Sequence, residues 1–168
     1  MALRKRPLAA LDSSLLLLLE AGSVDCARIL SHLERLQFDF IVTDTALQRL
    51  IDIQEDTTQP SVSEMSRDLL GRLRDHYGFK TPGLAGADDA IAKIVAGKLL
   101  EHPVLHSARN THALIIVEAA LHGCEVLLSS DPVLLRVDGA KLNVALMDHH
   151  VPTIQILSPA VILSVLDA

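Results

Sequence analysis

An apolar run that ends on a carboxylate just before a helix signal is the feature that most restricts this chain, and it occurs twice. From Asn110 to Asp131 the sequence NTHALIIVEAALHGCEVLLSSD reads as a helix, a Gly-Cys turn and a short strand that delivers Asp131. Near the N-terminus, Pro7-Leu8-Ala9-Ala10-Leu11 reads as a short buried strand that delivers Asp12, with Ser13-Ser14 following as helix starters. A buried strand running into a helix is the building unit of a parallel α/β sheet, and such sheets bind ligands outside the carboxyl ends of their strands. Two acids leaving two strand ends in the same way are expected to share one crevice.

The rest of the chain supplies further units of the same kind. Val24, Ile29, Leu30, Leu33 and Leu36 continue a helical stripe from Ser13 or Ser14 to about Gln37, and Phe38-Asp39-Phe40-Ile41-Val42 reads as a second strand. Thr43 is placed to cap the next helix, with Asp44 in its first turn and Ala46, Leu47, Leu50 and Ile51 on its buried face. Gln54 to Pro60 reads as a polar linker, and Ser61-Val62-Ser63-Glu64 matches a capping box that opens a helix to about His76. Gly78, Pro82, Gly83 and Gly86 mark a loop. A helix from Ala87 to Leu100 follows, its stripe formed by Ile91, Ile94, Val95, Leu99 and Leu100. After Asp131, short helices are expected at Val133-Leu134-Leu135 and from Lys141 to Met147, then a strand from Pro152 to Leu157 and a closing helix opened by Ser158-Pro159. The alternation predicts a mostly parallel sheet with helices on both faces, with 54–110 as a helical elaboration within a single domain over 1–168.

Composition narrows the function classes. Hydrophobic residues make up 49% of the 168 while aromatics make up 2%, which fits an aliphatic α/β core and excludes a disordered chain. A net charge of -6 argues against a general polyanion-binding surface, since phosphate affinity comes from Lys and Arg, and leaves room only for a local basic patch. Cys26 and Cys124 are far apart with no CxxC spacing, as expected of reduced thiols in a cytoplasmic protein. The basic start Arg4-Lys5-Arg6 before Leu-rich sequence imitates a signal peptide, but Asp12 interrupts the apolar stretch and Leu15–Leu19 is too short to span a bilayer. A cytoplasmic protein with no membrane association is expected.

Four segments together resemble the PIN domain family, the fold of VapC-type toxin ribonucleases and related metal-dependent nucleases. They are LDSSLLLLL around Asp12, IVTDTALQRL from Ile41 to Leu50, THALIIVEAALHGCEVLLSSD from Thr111 to Asp131, and the terminal ILSPAVIL. Within the third, Ser129-Ser130-Asp131 stands for the family's Thr/Ser-x-Asp pattern after a helix and an apolar strand. The resemblance implies a three-layer α/β/α fold. It also implies a cluster of three or four carboxylates holding Mg²⁺ or Mn²⁺ that activates water to cleave RNA. Hard divalent ions take oxygen ligands, and clustered acids tolerate one another when such a cation offsets their repulsion.

Carried over residue by residue, Asp12 and Asp131 match two of the family's acids and become the expected metal ligands. The family's Glu after the second strand falls on Arg49, and its Asp at the start of the later helix falls on His112. A guanidinium at 49 is expected to pair with Asp12 or Asp131 instead of binding metal. His112 is a candidate ligand or general base, though imidazole suits Mn²⁺ or Zn²⁺ better than Mg²⁺. Ser13 and Ser129 line the same expected site, and Asp44, Asp52 and Asp89 are the acids near enough in sequence to compensate.

Each signal also has an ordinary structural reading. Asp12 and Asp131 are acceptable helix N-terminal residues, His112 an ordinary partly exposed histidine, Glu118 a residue on a solvated helix face, and Asp148-His149-His150 a turn. Two functions follow: a metal-dependent endoribonuclease with catalytic Asp12, Asp131 and His112, or a degenerate PIN-like domain that binds RNA or a protein without cleaving. Candidate partners are RNA, an antitoxin-like protein and a second copy in a homodimer.

Overall fold

In a computed structural model describing residues 5–168, four short strands form a fully parallel sheet in the order β2-β1-β3-β4. The strands are β1 (Leu8–Leu11), β2 (Asp39–Ile41), β3 (Val126–Leu128) and β4 (Gln155–Leu157). Register pairs Ala10 with Ile41 on one side and with Leu127 on the other, and Leu127 in turn with Ile156. Both central strands are apolar because a parallel sheet is covered on both faces. Ala9, Ala10, Leu11, Leu127 and Leu128 are fully buried. With its flanking helices the sheet makes the PIN-like three-layer α/β/α fold.

Nine helices and a 3₁₀ turn accompany the strands among the described residues. They are α1 (Ser13–Glu20), α2 (Val24–Arg35), α3 (Asp44–Glu55), α4 (Pro60–Arg72), α5 (Ala87–Glu101), the 3₁₀ turn Pro103–Leu105, α6 (Asn110–Leu121), α7 (Pro132–Leu135), α8 (Gly139–Asp148) and α9 (Pro159–Leu166). Residues 54–110 contain α4 and α5, which pack along α3 and α6 respectively to form one helical block. Its apolar filling is aliphatic throughout, with Leu50, Leu69, Leu99, Ile115 and Ile116 wholly enclosed.

Several local expectations change. The stripe expected to run unbroken from Ser13 to Gln37 is two helices. Gly22 at φ 86 takes a left-handed turn that a β-carbon disfavours, and the Ser23 hydroxyl accepts the Cys26 N–H to start α2. No capping box opens α4. It begins at Pro60 in the first turn, and α3 extends through Glu55, which shortens the linker. On α5 the buried face is Ala92, Val95, Ala96 and Leu99, while Ile91 and Ile94 lie exposed. Small alanines let α5 approach α6 closely, an effect invisible to a reading that seeks large apolar side chains. The strands at 38–42 and 152–157 shrink to three residues each.

Beyond β2, the loop from Tyr77 supplies one further pairing. Lys80 exchanges backbone hydrogen bonds with Phe40 and Val42, anchored by Phe79 edge-on to Phe40 and stacked with Tyr77. Arg4 of the basic start lies outside the described residues, whereas Arg6 pairs with Asp39 at 3.4 Å. No helix among the described residues is long and apolar enough to cross a membrane.

Candidate functional site

The connections from β1 and β3 depart from the two central strands, so the crevice between them lies at the topological switch point where parallel sheets place ligands. Asp12 directly follows β1 and Asp131 stands three residues beyond β3. Both begin helices, α1 and α7 respectively, so the two acids stand at neighbouring strand ends as the sequence implies, but only Asp131 lines the open groove beside them.

The two carboxylates have different surroundings. Asp12 is fully buried and its side chain does not cap its own helix. Instead Oδ2 accepts the Ser14 hydroxyl at 2.6 Å and the Ser129 hydroxyl at 2.9 Å, and Oδ1 accepts Ser13 at 3.4 Å. Those serines relay outward, because Ser14 Oγ accepts the Ser130 N–H and Ser129 Oγ accepts the Asp131 N–H. Every turn residue after β3 is thereby strapped to Asp12. Ser14, anticipated above as a helix starter and not as a site residue, holds Asp12 more closely than Ser13 does. Its position two residues after an acid at a strand end is the signal that marks it.

Asp131 is partly exposed and caps α7 by accepting the Val133 N–H at 2.9 Å. Its other oxygen accepts from His112 Nε2 at 3.1 Å. Burial works against its charge, but the Val133 N–H, the His112 contact and the Arg49 guanidinium outweigh it and hold the carboxyl below the ordinary carboxylate range.

Arg49 lies between the acids. Its Nη1 is 3.5 Å from Asp12 Oδ1 and its Nη2 is 3.6 Å from Asp131 Oδ2, ion-pair distances too long for good hydrogen bonds. Nη1 is enclosed without a hydrogen-bond partner. His112, at the start of α6, is also buried, and its Nδ1 accepts the Arg109 backbone N–H at 2.9 Å. A nitrogen that accepts from an amide carries no proton, so in this geometry Nε2–H is the donor to Asp131 and neither ring lone pair remains free.

Of the other acids, Asp44 accepts the Leu84 N–H and Asp89 pairs with Lys93 at 2.7 Å. Only Asp52 faces the same crevice, where it accepts from Gln48. Among the described residues no three His, Cys, Asp or Glu side chains come together to hold a metal ion, Asp148-His149-His150 included.

Glu118 departs from its expected solvated face. It is buried and accepts both the Thr45 backbone N–H at 3.0 Å and the Thr45 hydroxyl at 2.6 Å, binding α6 to the first turn of α3. A buried carboxylate is tolerated there because it meets the positive end of a helix and two donors. The tie fixes the helix carrying Arg49 to the helix carrying His112.

Above these residues lies an open groove of about 560 Å³, lined in part by Arg49, Asp52, Arg109, Thr111, His112 and Asp131. Asp12 does not reach it. Neither Arg109 nor Arg136, which lines the adjoining cavity, has a carboxylate partner among the described residues.

No family model matches the chain, and no curated protein matches it by sequence. Solved structures do match by fold. VapBC2 from Rickettsia felis, whose crystal structure is bound to a DNA fragment from their promoter, superposes with a TM-score of 0.60 at 10% identity, covering 90% of this chain and 98% of that one. PAE2754 from Pyrobaculum aerophilum has a TM-score of 0.45 at 16% identity, covering 84% of this chain and 98% of its own. At such identities the likeness speaks to the fold, which is PIN-like.

Proposed function

We propose that this chain is a PIN-like domain that holds single-stranded RNA in the groove over Arg49 without cleaving it. The observation that carries this reading is the guanidinium standing 3.5 Å and 3.6 Å from the two remaining acids, the place a metal cation takes in a carboxylate-cluster nuclease. A hard divalent ion needs several anionic oxygens, and here it meets two carboxylates, one of them fully buried, with a fixed positive charge between them. His112 offers no lone pair in this arrangement. The donor set therefore does not fit Mg²⁺ or Mn²⁺.

Positive charge is instead available to a ligand. Arg109 and Arg136, free of carboxylate partners among the described residues, border the groove and its adjoining cavity, and arginine suits phosphate by its planar pair of donors. Single-stranded RNA offers both phosphates and unstacked bases to such a surface. The exposed aliphatic side chains Ile94, Val144, Met147 and Val165 support a homodimer or an antitoxin-like partner on other faces of a cytoplasmic protein.

The test is fluorescence anisotropy with labelled single-stranded RNA in EDTA and again with MnCl₂ or MgCl₂, followed by gel analysis of the RNA. Binding is expected under both conditions with the RNA intact. Arg109→Ala and Arg136→Ala are each expected to weaken binding and to reduce the salt slope by about 1. Metal-dependent cleavage that Asp12→Asn abolishes would overturn the proposal in favour of an active ribonuclease.

A further inference from the structure

A second cavity of about 210 Å³ opens beside the groove and shares Ser107 and Val133 with it. It is smaller than the roughly 300–1,000 Å³ of sites for drug-sized ligands. Its walls come from the 3₁₀ turn and the segment after it on one side and from α7 and the residues that follow it on the other. Val104, Ala108, Val133 and Val137 make it mainly apolar, and His106, Ser107 and Arg136 supply its polar groups.

The polar groups are complementary in kind. His106 Nδ1 lies 3.0 Å from the Pro103 carbonyl. A carbonyl only accepts, so Nδ1 donates, and in the neutral ring Nε2 is the acceptor. Arg136 supplies donors and Ser107 either role. An apolar slot with a donor and an acceptor at its rim suits a flat heteroaromatic ring with polar edges. Arg109 and Arg49 line the adjoining groove, where a phosphate attached to such a ring would lie.

From this continuity we infer that the cavity takes one unstacked nucleobase of the RNA strand whose backbone follows the groove, an assignment that rests on the proposed RNA binding. Extruded bases are recognised in this way, by apolar contact on the ring and hydrogen bonds on the edge, whereas phosphate contacts position the strand without reading it. The groove thus supplies affinity and the cavity supplies the base-dependent part of recognition.

The experiment compares a labelled 12-nucleotide oligoadenylate with an otherwise identical oligomer carrying abasic residues, using the full chain and anisotropy. The unaltered protein is expected to bind the base-bearing oligomer about tenfold tighter, within the range that one seated base contributes. Ala108→Leu, which fills the cavity and leaves the arginines in place, is expected to bring the two affinities together at the abasic value. Val137→Leu repeats the comparison if Ala108→Leu fails to fold. Equal affinities in the unaltered protein would overturn the cavity assignment and leave the groove reading standing. A tenfold difference that survives in both filled variants would do the same. No binding of either oligomer would overturn both. Adenosine monophosphate in millimolar excess is expected not to displace the oligomer, and displacement would reassign the cavity to a free nucleotide.

Discussion

Replacing Arg49 by Met isolates the charge at the centre of the site, because Met keeps an unbranched side chain of similar reach and removes only the guanidinium. Two carboxylates then face each other with no cation, Asp12 fully buried and Asp131 partly so. At 3.5 and 3.6 Å each ion pair has a Coulomb energy of roughly 5 kcal/mol at an effective dielectric of about 20, before the opposing desolvation is counted. Breaking a buried pair costs about 3–5 kcal/mol and an exposed one about 0–1. Arg49 has a side-chain exposure of 26% and no hydrogen bond to either acid, so the expected loss is about 2–3 kcal/mol at pH 7. With a urea slope of roughly 2 kcal/mol per molar, the unfolding midpoint falls by about 1 M. The variant also opens a place for a cation. Mn²⁺ at about ten times its dissociation constant restores about 1.4 kcal/mol to Arg49→Met and leaves the unaltered protein unmoved. Urea titrations of both proteins in EDTA and in MnCl₂ measure all four values. An unaltered protein stabilised by Mn²⁺ as much as the variant would refute the view that Arg49 occupies the cation's place, and so would a variant that loses no stability.

Two further outcomes follow from the contacts around the site. Asp131 has a carboxyl held below its unfolded value, so it adds stability that is fully present above the unfolded pKa of about 3.9 and is lost as pH falls through the folded one. Asp131→Asn should therefore cost about 1 kcal/mol between pH 6 and 8, with the deficit closing below about pH 4; urea midpoints that stay equally far apart at pH 2.5 would contradict this. Glu118→Ala leaves two half-buried Thr45 donors without their acceptor and should cost about 2–3 kcal/mol, or roughly 5–10 °C in thermal midpoint. A loss below about 1 °C would mean that the tie between α3 and α6 is not a buried one.

The strand–acid–helix units were legible because each is local: an apolar run fixes a buried strand, and the residue after it must leave at the sheet's carboxyl edge. The pairing of Asp12 with Asp131 followed from parallel topology alone, and Arg49 was expected to reach one of them where it meets both. Glu118 was misplaced because helical periodicity gives a face and not a neighbour. Its partner Thr45 lies 73 positions away on another helix. Ile91 and Ile94 were misjudged for a related reason, since α5 turns its alanines inward against α6 and leaves its isoleucines outside. The cavity beside the groove had no sequence signature at all. Its walls are two short segments brought together only by the fold.

Set beside the four-carboxylate cluster that the resemblance to PIN nucleases implies, Arg49 and His112 make physical sense as one change. Four carboxylates around a single divalent ion leave a local charge of −2, and without the ion they leave −4, which repels any phosphate. Asp12 and Asp131 around one guanidinium leave −1 whatever the metal concentration, with His112 contributing an Nε2–H donor in place of a fourth negative charge. Changing only position 49 would set a guanidinium among three acids and keep a net −2. Changing only position 112 would leave three acids with no internal cation. Together they give a site that closes itself by an ion pair and would lower the electrostatic barrier to the RNA phosphate that the proposed function places over Arg109. The groove stays open to solvent while the centre beneath it carries its own permanent cation.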